Sequence, residues 1–310
     1  MTTKRLTISI SQVAPLIGFD KYNNFPKNLC EIWRKYEPEE FRRMELELKA
    51  TGEKLANSSE MNDIWEIDDL YGTNILEQVK AINANKDKTS GEMVKLQSAI
   101  SSEIEKIKEL SSSEKAEIIK KMCSLTNKSH GVNNEDNIIA TFCKYAEKTI
   151  QQTQGWVEIP LETKSIPINW VVIGKYDGIT TENELVEAKM RQKSLFKTVR
   201  DYENIQVQLY LHALKFQQAY LVEGINSKTN SKTNSKNNMN MNIYVNEIAY
   251  DDIYVNEIIL SRLVKFTEFF ETFIKDDKMK QTILKNDPQG EIYNIFANVY
   301  LGIETTEIDF

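Results

Sequence analysis

Asp177, Glu187 and Lys189 are the residues whose types and spacing most suggest chemistry in this 310-residue chain. They lie in Ile173-Gly-Lys-Tyr-Asp177-Gly-Ile and, after a short polar stretch, in Leu185-Val-Glu187-Ala-Lys189. Side chains alternate along an extended strand, so Glu187 and Lys189 share one face while Val186 and Ala188 pack on the other. A hairpin around Thr180 to Asn183 would set Asp177 beside Glu187. Two adjacent carboxylates repel unless a positive charge lies between them, and oxygen-only ligands suit a hard cation such as Mg²⁺, with Mn²⁺ as a substitute. Such an ion clamps a phosphodiester oxygen and lowers the pKa of a bound water, the two tasks that phosphodiester hydrolysis demands. Lys189 would then orient or deprotonate the water and offset charge growing on phosphorus. The same spacing is equally compatible with an exposed hairpin held by a salt bridge.

Flanking residues weigh on that choice. Tyr202-Glu-Asn-Ile-Gln206-Val-Gln208-Leu-Tyr210-Leu-His212 sets amides in an otherwise apolar helix, where buried amides need partners, and Gln206 is placed to face the metal site. Gly131-Val-Asn-Asn-Glu135 sets a carboxylate on the first turn of a helix preceding the strands; favourable charge at a helix N-terminus is its simpler reading. Lys189, Arg191, Lys193, Lys197 and Arg200 form the clearest basic cluster. It reads as a phosphate track beside the proposed metal or as a solvated face, and in the first case each contact adds to the salt dependence of DNA binding.

The elements that must position these residues form a mixed α/β core. A helix is expected from Asn133 to Ile150, strands at Trp156 to Leu161, Ile168 to Ile179 and Glu184 to Lys189, a helix from Asp201 to Phe216, and a strand at Ala219 to Val222. Residues 1–36, with Leu29, Ile32 and Trp33 at helical spacing, predict two short helices. Residues 37–128 read as a charged helical insertion, in which Ile100, Ile104 and Ile107 mark one amphipathic helix and Ser111-Ser112-Ser113-Glu114 caps another. The core therefore comprises 1–36 and 129–276, and 277–310 is a C-terminal helical tail. The tandem Asn/Ser/Lys repeat at 226–242 cannot bury a core and is expected as a disordered loop. Ile243-Tyr-Val-Asn-Glu-Ile recurs as Ile253-Tyr-Val-Asn-Glu-Ile, the first copy ending a strand and the second opening a helix that runs to about Lys275.

Composition narrows the function. Lys and Arg total 39 against 46 acidic residues, a net charge of −7, so bulk electrostatic coating of nucleic acid is excluded and DNA contact needs a local patch. Cys30, Cys123 and Cys143 form no CxxC pair, which argues against a disulfide framework or zinc knuckle and for a reducing, cytoplasmic or nucleoplasmic compartment. The sequence predicts no membrane span and no secretory signal. It carries no GxxxxGK[ST] motif and no recognisable Ser/His/Asp nucleophile motif. Of the two histidines, His212 reads as a satisfied helix residue and His130 as a solvated turn residue. Tyr22, Trp33 and Tyr36 read as core more readily than as a base-stacking stripe.

Taken in order, Gly131-x-x-x-Glu135, Asp177, Glu187-Ala-Lys189 and the Gln206-Val-Gln208 helix resemble the PD-(D/E)XK nuclease superfamily. More narrowly, they are similar to its YqaJ-like viral recombinase, or lambda-exonuclease, branch, whose opening segment Ile8-Ser-Ile-Ser11-Gln-Val-Ala-Pro-Leu-Ile-Gly18 also resembles. The superfamily's Pro-Asp stands here as Tyr176-Asp177, and residues 37–128 have no counterpart. The resemblance implies a restriction-endonuclease-like mixed sheet flanked by helices. It implies Asp177 and Glu187 as metal ligands, joined by the Ala188 carbonyl and Glu135, with Lys189 as the catalytic lysine and Gln206 as its support. Ser11, and Arg5 only after a one-residue shift in alignment, would touch a DNA phosphate. The superfamily's iron–sulfur branch needs four cysteines, and this chain has three.

The function so implied is Mg²⁺-dependent hydrolysis of linear double-stranded DNA from its ends, 5′ to 3′, in viral or phage-type recombination or repair. Implied partners are DNA ends, a single-strand-annealing or single-strand-binding protein, and two further copies in a homotrimer, with no membrane; a viral chain would work at the site of virus replication. A structure-selective or restriction-like endonuclease on the same fold, and a non-catalytic DNA-binding module with the insertion as its partner-recruiting part, are the alternatives.

Overall fold

The computed structural model describes residues 4–19, 25–53, 55, 68, 73–84, 90–163, 168–226, 241–285 and 290–303. The expected Asn/Ser/Lys loop lies almost wholly outside them, between a strand that ends at Asn226 and one that starts at Met241.

The chain opens with β1 (Lys4–Ser9), a strand where the sequence reading expects only helices. Its signal is the alternation of Leu6 and Ile8, both buried, which continues into Ile10. Helix α1 (Ile10–Leu16) begins where Gln12 Oε1 accepts the Ser9 N–H at 3.0 Å, and it stops at Gly18, whose φ of +86° favours a residue without Cβ. Helix α2 (Phe25–Tyr36) buries Phe25, Leu29, Ile32 and Trp33. Helix α3 (Pro38–Ala50) buries Phe41, Met44 and Leu48 in the same main core, so the first part of the expected insertion belongs to the body of the protein.

Helices α4 (Ile75–Ala84), α5 (Ser90–Glu105) and the first half of α6 (Ser112–Ala146) bury Ile75, Val79, Ile100, Ile104, Ile118 and Met122 against one another in a satellite core. The predicted cap at Ser111 and Ser112 does start α6. That helix runs unbroken for 35 residues through the point where the sequence reading begins a helix at Asn133. Gly131 costs a helix interior only about 1 kcal/mol, which packing along the rest of α6 overrides.

The strands are β2 (Ile150–Thr153), β3 (Trp156–Pro160), β4 (Ile168–Lys175), β5 (Gly178–Thr180), β6 (Leu185–Met190), β7 (Gln218–Asn226) and β8 (Met241–Ala249). They form a three-stranded sheet in the order β1-β4-β3 and a five-stranded sheet in the order β2-β5-β6-β7-β8, both mixed. One long hairpin joins the sheets, because β2 leads into β3 and β4 into β5. At the bend Tyr176 N–H donates to Gly155 O at 3.0 Å and Gln154 N–H to Asp177 O at 3.1 Å. A Cβ on Gly155 would lie 1.9 Å from the Tyr176 hydroxyl, so the bend needs glycine there. The strand expected without a break from Ile168 to Ile179 is thus interrupted at Tyr176 and Asp177.

Helix α7 (Asp201–Leu214) is the crossover between the parallel strands β6 and β7. The second half of α6 covers one sheet face through Ile138, Phe142, Val186, Ala188 and Val222. Ile205 and Leu209 of α7 pack with Leu185 and Leu221 in the main core. After β8 a π-helical turn (Tyr254–Leu260) runs into α8 (Ser261–Phe273), followed by α9 (Asp277–Leu284), α10 (Glu291–Ile295) and a second π-helical turn (Phe296–Leu301). Ile283, Ile292 and Phe296 reach the main core, so the described part of the expected tail packs on the body of the protein. No helix among the described residues is long and apolar enough to cross a membrane.

Candidate active site

The β5–β6 hairpin pairs Gly178 with Val186, which places Asp177 and Glu187 opposite each other at the next step of the ladder. Asp177 Oδ2 accepts the Ala188 N–H at 2.8 Å. Val186 and Ala188 pack under α6, leaving Glu187 and Lys189 on the α7 side, as strand alternation predicts. Helix α7 brings Gln206 onto them. Its Nε2 donates to Glu187 Oε1 at 2.9 Å, its Oε1 accepts from Lys189 Nζ at 3.1 Å, and Lys189 Nζ also donates to Glu187 Oε1 at 2.7 Å. The other carboxylate oxygen, Glu187 Oε2, is buried and has no hydrogen-bond partner among the described residues.

Burial dominates the electrostatics. Glu187 is 2% exposed, and desolvation, opposed by Lys189 and reinforced by Asp177, pushes its pKa up to about 8. Desolvation and the Asp177 charge likewise raise Glu135 to about 7. Asp177 is raised by burial against the pull of Lys189, the Ala188 N–H and Lys175. Burial works against the Lys189 ammonium, but Glu187, Asp177 and Glu203 outweigh it, so its pKa moves up and the group stays charged at neutral pH. Without a cation on these carboxylates, Lys189 is a hydrogen-bond donor and a positive charge.

Glu135 feels the charge of Asp177, but it sits deep within α6 and is not a first-turn residue. Ser11 is exposed, its hydroxyl 2.9 Å from that of Ser9. Arg5 pairs with Glu158 at 2.8 Å and lies opposite Asn169 on β4, on the order of 20 Å from the catalytic end of that strand at ~3.3 Å per residue. It does not join the cluster. Lys193 is exposed, as a phosphate contact requires.

Arg191 is a correction to the basic track. The residue is 8% exposed, and its guanidinium bonds Glu223 through Nε at 2.8 Å and Glu203 through Nη2 at 2.7 Å. Two buried carboxylates demand that cation, so it is not offered to a phosphate. Glu223 Oε2 also accepts the N–H groups of Phe196 and Lys197 at 2.9 Å each, and Phe196 lies between the guanidinium groups of Arg191 and Arg200. A glutamate inside the apolar strand Ala219-Tyr-Leu-Val-Glu223 is a signal that sequence reasoning passes over.

Gln208 faces away from Gln206 and ties α7 to the end of β8, donating to Ala249 O at 2.8 Å and accepting from Asp251 N at 2.9 Å. His212 Nδ1 lies 2.8 Å from the Tyr250 hydroxyl, a satisfied helix residue as expected. Trp33 is fully buried and Tyr36 packs edge-on to Phe270; Tyr22 lies outside the described residues. Tyr210, one turn after Gln206, was not singled out from sequence. Its hydroxyl donates to Lys175 O at 2.7 Å and lies 3.4 Å from Gln206 Nε2, joining the amide to the end of β4.

Among the described residues no three His, Cys, Asp or Glu side chains stand together as a ready metal cage. The donor chemistry nevertheless fits a hard divalent cation: carboxylates only, all three with raised pKa, and one buried oxygen lacking a partner. Cys30, Cys123 and Cys143 are all unpaired.

No protein-family model and no curated protein matches the sequence. Among solved structures, the chain is similar to an alkaline exonuclease, LHK-Exo, from Laribacter hongkongensis, at 13% identity and a TM-score of 0.34 over 56% of this chain and 90% of that one. It is also similar to a phage-related exonuclease from Haemophilus somnus 129PT, at 14% identity and a TM-score of 0.35 over 48% of this chain and 72% of that one. Likeness this thin carries no inference about chemistry, which rests on the side chains of the site itself.

Proposed function

We propose that the chain is a divalent-cation-dependent deoxyribonuclease that hydrolyses linear duplex DNA from its ends. The observation that carries this reading is the Glu187 carboxylate. One of its oxygens is held by both Lys189 and Gln206, and the other is buried without a partner among the described residues. A lone structural salt bridge would not need this arrangement.

Glu187 Oε2 and Asp177 would hold the cation, with the Ala188 carbonyl and Glu135 completing its shell. Mg²⁺, or Mn²⁺ in its place, would polarise a phosphodiester oxygen and acidify a bound water. The chain's own groups do the rest. Lys189, fixed by Glu187 and Gln206, presents its remaining N–H to an oxygen of the phosphate and offsets the charge that grows there. The Ala188 N–H holds Asp177 in place. Ser11 and Lys193, both exposed, bind flanking phosphates.

The order of Glu135, Asp177, Glu187-Ala-Lys189 and Gln206 carries a resemblance to the lambda-exonuclease branch, and that resemblance implies 5′ to 3′ hydrolysis serving recombination or repair, in a ring of three copies and beside a single-strand-annealing or single-strand-binding protein. Linear and covalently closed circular duplexes of one sequence, incubated with Mg²⁺ or chelator, test the proposal. Metal-dependent loss of the linear form alone is the expected result. Nicking or linearisation of the circle would indicate an endonuclease instead, and no loss of either form would overturn the nuclease reading.

A further inference from the structure

The described tryptophans other than Trp156 are buried: Trp33 and Trp170 are fully enclosed in the core, while Trp156 is 68% exposed. It opens β3, the end strand of the three-stranded sheet, and pairs with Lys175 on β4. Cross-strand partners have Cβ atoms about 5 Å apart, so the indole and the Lys175 stem lie side by side on the open face of the sheet. Both residues lie close along the backbone to Asp177. Gln154, two residues before Trp156, donates its N–H to Asp177 O at 3.1 Å, and Lys175 is two residues before Asp177. The Lys175 charge is felt by both Asp177 and Glu135. Its ammonium donates to a neutral partner, Gln154 Oε1, at 2.8 Å and meets no carboxylate at ion-pair distance among the described residues.

An exposed indole beside an exposed ammonium that has no ion-pair partner among the described residues provides an apolar plane and a positive charge next to a site for phosphodiester hydrolysis. Unpaired nucleotides carry the complementary chemistry, since a base stacks on an aromatic ring and its phosphate meets the cation. A fully paired duplex hides its base faces. We infer that Trp156 and Lys175 form a stacking subsite for an unpaired nucleotide of the DNA strand at the cleavage site. This rests on the nuclease reading and deepens it: the substrate end is frayed by at least one nucleotide on this platform.

The test measures binding of labelled duplexes with a single-stranded overhang, carrying either bases or abasic nucleotides there, to the full chain in chelator, where hydrolysis is off. Wild type, Trp156→Ala, Trp156→Phe and Lys175→Gln are compared, with melting temperatures confirming that each folds. Wild type should bind the overhang with bases about tenfold more tightly than the abasic one, within the range for loss of one stacked base. Trp156→Ala should erase that difference, Trp156→Phe should keep most of it, and Lys175→Gln should weaken both substrates alike. Equal discrimination by wild type and Trp156→Ala, in a preparation that still hydrolyses linear DNA with Mg²⁺, would overturn the platform and leave the nuclease reading intact. A wild type that neither binds nor hydrolyses any DNA would overturn both.

Discussion

Lys189 Nζ stands 3.1 Å from Gln206 Oε1, and the two residues share a third partner, Glu187 Oε1, at 2.7 and 2.9 Å. The triangle joins β6 to α7 and leaves each group fewer ways to turn. Gln206 is the member that touches neither the cation nor the phosphate in the proposed reaction, so its role is to hold the other two.

Gln206→Ala should therefore lower kcat by about ten- to a hundredfold while leaving KM for DNA little changed, since a hydrogen bond to a charged group contributes about 1.5–3 kcal/mol. Steady-state rates on a linear duplex, with melting temperature as a control, check this. A rise in KM at constant kcat would place Gln206 in substrate binding instead.

Arg191 and Lys193 are neighbours in the basic run and should behave oppositely. Arg191→Met leaves Glu203 and Glu223 buried without their cation, a change that typically costs about 3–5 kcal/mol, read as a lower urea midpoint. Lys193→Glu should leave the midpoint unmoved, weaken DNA binding across sequences and flatten its salt dependence by about one counterion. If Arg191→Met kept full stability and lost salt-dependent DNA binding, the buried pairing would be wrong.

These two residues also show what a sequence reading can and cannot reach. The alternation in Leu185-Val-Glu187-Ala-Lys189 and the helical spacing around Gln206 are local, so Asp177, Glu187, Lys189 and Gln206 are legible in the sequence as one candidate cluster. In sequence Arg191 reads as part of a phosphate track or a solvated face because its partners, Glu203 and Glu223, are 12 and 32 positions away and join it only through the β6–α7–β7 crossover. Strand β1 was missed for a similar reason: its pairing partner is β4, far along the chain, and its short alternation runs straight into α1. The hexapeptide Ile-Tyr-Val-Asn-Glu-Ile makes the point most directly. Residues 243–248 lie in β8 beside β7, whereas Tyr254 to Ile258 of the second copy are helical. Identical local propensity gives two structures once the neighbours differ.

Glu187 near pKa 8 and Glu135 near 7 also make stability depend on pH. A free glutamate titrates near pH 4.3, so through the interval above that value the folded chain holds protons that the unfolded chain has released. Their contribution is complete below about pH 4 and is lost as the pH rises through 7 to 8. Glu187→Gln should thus melt at a temperature that falls less between about pH 5 and pH 8.5 than wild type does. Mg²⁺ should raise the wild-type melting temperature more at the upper end of that range, where the carboxylates are ionised. Parallel pH profiles for the two proteins would contradict the buried-carboxylate assignment.

Ile104 is fully buried in the satellite core of α4, α5 and α6, away from the carboxylates. Ile104→Ala should destabilise that unit by about 2–5 kcal/mol, seen as faster amide exchange confined to residues 75–122. Hydrolysis by the sheet-based site should persist. Equal loss of protection in β6 and α7 would show that the satellite and the main body unfold together.

Phosphodiester hydrolysis at the Glu187–Lys189 site has a decisive test. It is tested most directly by a linear duplex labelled separately at its 5′ and 3′ ends, incubated with Mg²⁺ and either wild type or Lys189→Ala. Wild type should release the 5′ label early and in a chelator-sensitive manner, and the variant, with an unchanged melting temperature, should be at least about a hundredfold slower. Label release by Lys189→Ala at the wild-type rate would contradict hydrolysis at that site.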